Sequence, residues 1–227
     1  MTLNPLQAVR AAADLLWEPS NYNAGIRLAD ALMRWEPMRR RYERMLEGLR
    51  PEQREHLREL TLRSFPLEYL EKLPRNTLGA QYAAFMRANN LSDNAQIEAF
   101  APAAEVLREN WVALRFARAH DLHHVLVGFE VNLPAEMGLQ VFNFRNFGEP
   151  FGFLALVGTP WVIARCGQAP RMIGEMWRGW KLGGQAENLL LAPLEDYFER
   201  DMGEVRRMLN IPEPVPRATR ARRPSRL

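Results

Sequence analysis

Two stretches near the start set the fold: Pro5–Trp17 reads PLQAVRAAADLLW and Ile26–Trp35 reads IRLADALMRW. Leu6, Val9, Ala13 and Leu16, then Ile26, Leu28, Ala31, Leu32 and Trp35, recur mostly at intervals of three and four, which gathers the apolar side chains on one face of a helix. Outward from there the same spacing continues, and strand-like alternation is nearly absent. Prolines 5, 37, 51 and 134 stand where helices can begin, because a first turn does not use the amide hydrogen that proline lacks. The spacing predicts helices over 5–18, 21–35, 38–48, 51–63, 77–89, 103–127, 134–146, 151–164, 169–186 and 190–209. An all-α, single-domain helical bundle over 1–211 is the expected fold.

A chain of 227 residues and 26.2 kDa can bury one core without disulfides. Apolar residues at 47% and charged residues at 25% are ordinary proportions, which argues against a disordered chain and a polytopic membrane protein. Cys166 is the only cysteine, so there is no internal disulfide, cysteine zinc knuckle or iron–sulfur cluster, and a reducing cytoplasm fits. Met1–Glu18 carries Arg10 as its only cation and sets Asp14 inside the apolar run, unlike a secretory or mitochondrial signal. The expected location is cytoplasmic, with peripheral contact on the inner membrane face. The net charge of +3 resides at one end: Pro212–Leu227 holds Arg217, Arg220, Arg222, Arg223 and Arg226 against Glu213, which leaves the rest at about −1. This proline- and arginine-rich tail is expected to be disordered, and either solubilises the chain or rests on an anionic surface. Nucleic acid is not an expected partner of the body.

Two segments stand out. Phe142, Phe144, Phe147, Phe151 and Phe153 precede an apolar run that ends near Ala164; broken by Gly158 and Pro160, it is shorter than the roughly twenty residues that span a bilayer. It is either the centre of the core or a lipid-binding surface or tunnel. The other segment is His120-Asp121-Leu122-His123-His124, which contains three of the four histidines. At about 100° per residue His120 and His124 share a helix face, Asp121 flanks it, and His123 points elsewhere, either supporting the ligands or exposed. Imidazole and carboxylate so arranged suit Zn2+, Fe2+ or Mn2+. After a break at 128–134, Glu136 falls in the first turn of the next helix, where it either adds a ligand or merely complements the helix dipole.

His120-Asp121-x-x-His124 followed by Glu136, with Gly128 and Arg115 at matching offsets, resembles the signature of the coenzyme Q (ubiquinone) biosynthesis protein 4 family. Leu73-Pro74-x-x-Thr77-Leu78-Gly79 with Tyr82 and Phe85 resembles its upstream segment. Trp180, Gly184, Ala186, Leu189, Leu190, Tyr197 and Val205-Arg206-Arg207-x-Leu209-x-Ile211 resemble its C-terminal end. The likeness runs from about residue 65 to 211. Ala135 in place of glycine, Phe116 in place of tyrosine, and the arginine tail depart from the pattern.

The resemblance implies an all-helical protein that binds a divalent metal, most often taken as zinc, through His120, Asp121, His124 and Glu136. It implies action on a polyprenylated 4-hydroxybenzoate at the membrane surface, with removal of the C1 carboxyl and in some members hydroxylation there. Redox-silent zinc cannot activate oxygen, so hydroxylation would need electrons from the ring itself or iron as the metal. Asp121 would be a fourth ligand or a proton shuttle, and Glu136 both ligand and catalytic group. Arg115 could hold the substrate carboxylate, or else pair with Glu109 or Asp121. The five phenylalanines would accommodate the isoprenoid tail. A homodimer and contacts with other ubiquinone biosynthetic proteins are also implied. Two alternatives remain: a non-catalytic prenyl-lipid scaffold with a structural metal, and, less favoured, a His-Asp phosphohydrolase, which lacks further histidines downstream. With these ligands, metal affinity is expected to fall on acidification through the histidine range.

Overall fold

The computed structural model describes residues 5–18, 34–91 and 111–214, together with positions 21, 24, 27, 28, 31 and 32. In order, the elements are α1 (Pro5–Trp17), α2 (Glu36–Glu47), α3 (Pro51–Leu62), one-turn α4 (Leu67–Leu70), α5 (Leu78–Ala88) and α6 (Trp111–Val127). They continue with α7 (Leu133–Phe147), α8 (Pro150–Cys166), α9 (Ala169–Gln185), a 3-10 turn (Leu194–Tyr197) and α10 (Met202–Met208). The fold is all-α, and among the described residues the only extended pairing is an isolated bridge between Thr77 and Asp201. Pro5 begins α1, and Pro37, Pro51 and Pro134 each sit in the first turn of a helix, as their missing amide hydrogens require.

Three expectations change. The single helix over 190–209 is instead a turn, a 3-10 segment and α10. Asn188 Oδ1 accepts from the Leu190 and Leu191 amides at 3.1 and 3.2 Å, and Asp201 starts α10 by accepting from Glu204 N at 3.0 Å. Such side chains compete with a continuous helix for backbone groups. The apolar stripe of α1 does not face a core: Leu6, Val9 and Leu16 are exposed and only Ala11 is buried. α1 lies on the outside, attached to α8 by Trp161 Nε1 donating to Leu16 O and Arg165 Nη2 donating to Trp17 O. The tail does not leave the body at Pro212, since Glu213 accepts from Arg206 Nη1 at 2.9 Å. Most of the predicted 21–35 helix, positions 103–110 of the predicted 103–127 helix and the tail from 215 onward lie outside the described residues.

The core is organised around α6 and α7. Leu122 and Leu126 of α6, Ala135, Leu139 and Phe142 of α7, and Leu78 and Met86 of α5 share one buried cluster with residues of the closing segment, among them Leu189, Leu194 and Val205. α7 and α9 form the most extensive helix pair. Their backbones touch through glycines: a Cβ on Gly179 would stand 2.0 Å from Gly138 O, and one on Gly183 2.6 Å from Phe142 O. α7 is thereby pressed between α6 and α9, which fixes where its first turn can lie.

Candidate metal centre

The break after α6 is built by Gly128, whose φ of +70° is the left-handed conformation that lets its amide and that of Phe129 both donate to His124 O, at 2.8 and 3.1 Å. The last carbonyls of α6 are then covered by two arginines. Arg206 of α10 donates to Leu126 O at 3.0 Å and Val125 O at 3.1 Å, and Arg178 of α9 donates to Val127 O and to Gly128 O at 3.0 Å. Cations there satisfy orphan acceptors and complement the helix dipole. Chain direction reverses at Asn132, whose Oδ1 accepts from Ala135 N at 3.2 Å, and α7 begins with Glu136 in its first turn.

That reversal carries Glu136 back over the face of α6 that holds His120 and His124. Glu136 Oε1 lies 3.2 Å from His124 Nε2, and its Oε2 lies 3.8 Å from His120 Nε2. The ligand atoms of the three residues all fall within 4.8 Å of one another. His124 Nδ1 is 3.2 Å from Phe129 O, so a proton on Nδ1 donates to that carbonyl and leaves the Nε2 lone pair directed at the site. Phe85 stacks on His124 with ring centroids 5.6 Å apart, and Phe116 meets His120 edge-on. Two imidazoles and a carboxylate, one imidazole oriented by a backbone carbonyl, match the donor set of a divalent site with three protein ligands and an open position.

The charges are divided accordingly. Burial pushes the His120 pKa below its ordinary value, with the neighbouring His124 adding to the effect. Burial would lower His124 too, but the hydrogen bond and charge of Glu136, the Asp121 charge and the Phe129 carbonyl outweigh it and raise the pKa. Glu136 is held below the usual carboxylate range: burial opposes this, and the two imidazoles prevail.

The other sequence-derived residues are placed differently. Asp121 is buried but is not one of the converging three; it acts on both imidazoles through its charge. His123 is neither exposed nor aimed at Glu136: it is wholly buried, its Nδ1 3.2 Å from Asn143 Oδ1 on α7 and its ring against Phe147. Arg115 is 1% exposed and pairs with Glu195, not with Glu109 or Asp121, and it also donates to Leu190 O at 3.4 Å and Ala192 O at 2.7 Å. The phenylalanines do not form one tunnel wall. Phe142 is in the central cluster, Phe147 packs with Tyr42 and Phe116, Phe144 is half-buried, Phe153 is exposed, and the side chain of Phe151 lies outside the described set. Sequence reasoning missed Asn143, Glu195 and Arg178. Arg206 was visible only as part of the closing motif, and an acid within the apolar run 189–198 was the available signal for Glu195.

A cavity of about 390 Å3 opens against His124, lined by Gln81 and Phe85 of α5, by Asn89 just past its end, and by Phe129 and Glu130 of the turn. None of the five phenylalanines lines it.

The buried His123 has a measurable signature. Burial, reinforced by the charges of His120 and Arg115, pushes its pKa from 6.5 down to about 3. Below pH 6.5 the unfolded chain takes up a proton that the folded chain refuses, so stability falls with acidification by up to about 1.4 kcal/mol per pH unit from this group. In metal-free protein His120 works in the same direction. His124, being raised, works the other way: its contribution is complete below the unfolded value and is lost as pH rises through the raised one. Urea denaturation of the metal-free protein at pH 7 and pH 5 is expected to show a smaller acid loss for His123→Gln than for the parent, by about 2 kcal/mol. Equal losses would contradict the buried neutral imidazole.

The sequence profile of the coenzyme Q (ubiquinone) biosynthesis protein Coq4 family matches residues 31–215. The chain is 28% identical over 183 residues to the ubiquinone biosynthesis protein COQ4, mitochondrial, of Meyerozyma guilliermondii, covering 78% of this chain and 57% of that protein. It is 28% identical over 182 residues to the protein of the same name from Scheffersomyces stipitis, covering 78% and 55%. The chain thus spans little more than half the length of these relatives. A crystal structure from Nostoc punctiforme, described as that of a candidate ubiquinone biosynthesis protein, superposes with a TM-score of 0.71 at 23% identity. It covers 92% of this chain and 99% of that one, a likeness of fold.

Proposed function

The chain belongs to the coenzyme Q (ubiquinone) biosynthesis protein Coq4 family, and we propose that it is a metal-dependent decarboxylase of ubiquinone biosynthesis that removes the C1 carboxyl of a polyprenylated 4-hydroxybenzoate. The observation that carries this reading is the convergence of His120, His124 and Glu136 on one point, with His124 also bordering an open cavity. A divalent ion held by these three would supply Lewis-acid stabilisation for the charge that develops as the carboxyl leaves. When CO2 departs, its bonding pair remains on the ring and C1 must receive a proton.

The chain's own groups have separate tasks. His120 and His124 present neutral nitrogens, and Phe129 O keeps the His124 proton on Nδ1. Asp121, outside the converging three, is assigned the relay of a proton to C1, which its carboxylate takes up from water and passes on to the ring carbon. Arg115, engaged by Glu195 and two carbonyls, holds α6 to the closing segment and does not take the substrate carboxylate.

The test is release of the carboxyl carbon from a prenylated 4-hydroxybenzoate, with metal analysis of the same sample. Glu136→Ala and His124→Ala are expected to weaken Zn2+ binding by more than about a hundredfold and to abolish release while helicity persists. Asp121→Asn is expected to retain the metal and lose release. A metal-loaded protein that releases no carboxyl from such substrates would overturn the enzymatic reading.

The scaffold reading is favoured by one observation: Leu6, Val9 and Trp17 of α1, Val157 and Trp161 of α8, and Trp177 of α9 are all exposed. Arg165 and Lys181 lie over Trp17 and Trp177, the amphipathic pairing found at lipid headgroups. No described helix is long and apolar enough to cross a membrane. Contact with lipid at these faces is compatible with catalysis; a scaffold alone would keep partner and lipid binding in Asp121→Asn and show no turnover in the parent protein.

A further inference from the structure

The metal ligands leave one side of the site unexplained. Gln81 and Phe85, one helical turn apart on α5, and Asn89 at its C-terminal cap line the cavity that ends on the buried His124. Phe85 lies nearly parallel to the His124 ring, 24° between planes, and Phe129 adds a second aromatic side chain to the lining. At about 390 Å3 the space is at the low end of small-molecule pockets, suited to one substituted ring and too small for a long isoprenoid. Its outer residues are open: Val131 is 46% exposed, and Glu130 is held by Arg171 at 3.0 Å and Asn132 at 2.7 Å.

The polar groups of the lining are unequal. Asn89 Nδ2 already donates to Phe85 O at 2.8 Å. Gln81 is half-buried and its side-chain amide makes no hydrogen bond among the described residues, so that amide offers both a donor and an acceptor to whatever enters. A phenolic hydroxyl, also donor and acceptor, is the complementary group, and a flat ring complements the aromatic lining.

We propose that this cavity seats the hydroxybenzoate ring, carboxylate toward His124 and ring hydroxyl on Gln81, which makes Gln81 a specificity-determining residue. The assignment rests on the decarboxylase reading for the identity of the ligand, and on the cavity for its position. A ligand without the hydroxyl strips water from the Gln81 amide and returns nothing, and that asymmetry is what discriminates.

The experiment titrates the Zn2+-loaded full chain with 4-hydroxybenzoate and with benzoate by calorimetry, without turnover. The parent is expected to prefer 4-hydroxybenzoate by about tenfold. Gln81→Leu is expected to erase that preference while benzoate binding persists, Phe85→Ala to weaken both ligands, and Phe153→Ala to weaken neither. If Gln81→Leu proves unstable by thermal melting, Gln81→Glu replaces it, and the added negative charge should weaken both anions. Survival of the preference in Gln81→Leu, undiminished affinity for both anions in Gln81→Glu, no preference in the parent, or no binding of either ring at millimolar concentration would each overturn the proposal. The two readings fail separately: absent carboxyl release with an intact, Gln81-dependent preference removes the reaction and keeps the cavity, and release without the preference does the reverse.

Discussion

Gly179→Val should destabilise the protein by about 3 kcal/mol or more and, in whatever fraction still folds, weaken metal binding. The added atoms have nowhere to go, because the first of them would stand 2.0 Å from Gly138 O, a backbone atom in the middle of α7 that no rotamer change can move. α7 must separate from α9, and Glu136 in its first turn moves with it, out of register with the imidazoles anchored on α6. Gly174 on the same helix is the internal control. Nothing lies within 4 Å of a Cβ built there, so Gly174→Ala should gain up to about 1 kcal/mol from helix propensity alone. Urea denaturation of the two variants, with zinc titration of the folded material, measures both effects. If Gly179→Val melted with the parent, the α7–α9 backbone contact would not be as close as described.

The second large effect is at Glu195. Its side chain and that of Arg115 are 6% and 1% exposed, and they form an ion pair between the 3-10 turn and α6. Glu195→Ala strands a guanidinium in the interior, with carbonyl acceptors but no counter-charge, which is expected to cost about 3–5 kcal/mol. Removing both charges, Arg115→Met with Glu195→Leu, should restore much of the loss, since paired buried charges contribute little net stability beyond apolar residues of similar volume. A double-mutant cycle in urea gives the coupling directly. Near-additive losses in the cycle would mean that the carbonyls of Leu190 and Ala192, and not the carboxylate, hold Arg115.

Much of the candidate metal centre was legible because it is local. His120 and His124 are one helical turn apart in any helix, and Gly128, Asn132 and Pro134 are the residue types that end one helix and start the next within a few positions. Spacing alone therefore brings Glu136 near the histidines. Asp121 shows the limit of the same reasoning: helical spacing put it on the flank of the ligand face, and which way a flanking carboxylate turns depends on neighbours that spacing does not name. His123 could be set apart from the ligand face, but the partner that buries it, Asn143, lies on another helix, twenty residues away. The phenylalanine-rich segment misled for a related reason. Adjacency in sequence suggested one surface, while Phe142 and Phe147 turn to two different cores from α7 and Phe153, on the next helix, faces outward. The stripe of α1 is the converse case, apolar spacing without a partner helix to bury it.

The helical class, most helix starts, the α6–α7 break and two of the three converging side chains, with the third one turn beyond that break, follow from dihedral preferences and spacings within a few residues. Packing of distant segments is what pairs Arg115 with Glu195, sets α7 against α9 backbone to backbone, closes the end of α6 with Arg178 and Arg206, and opens a cavity onto the site at His124. Those are contacts between segments about forty to eighty residues apart, and they are chosen by which faces can be buried together at once, a property of the whole packed chain that no local stretch contains.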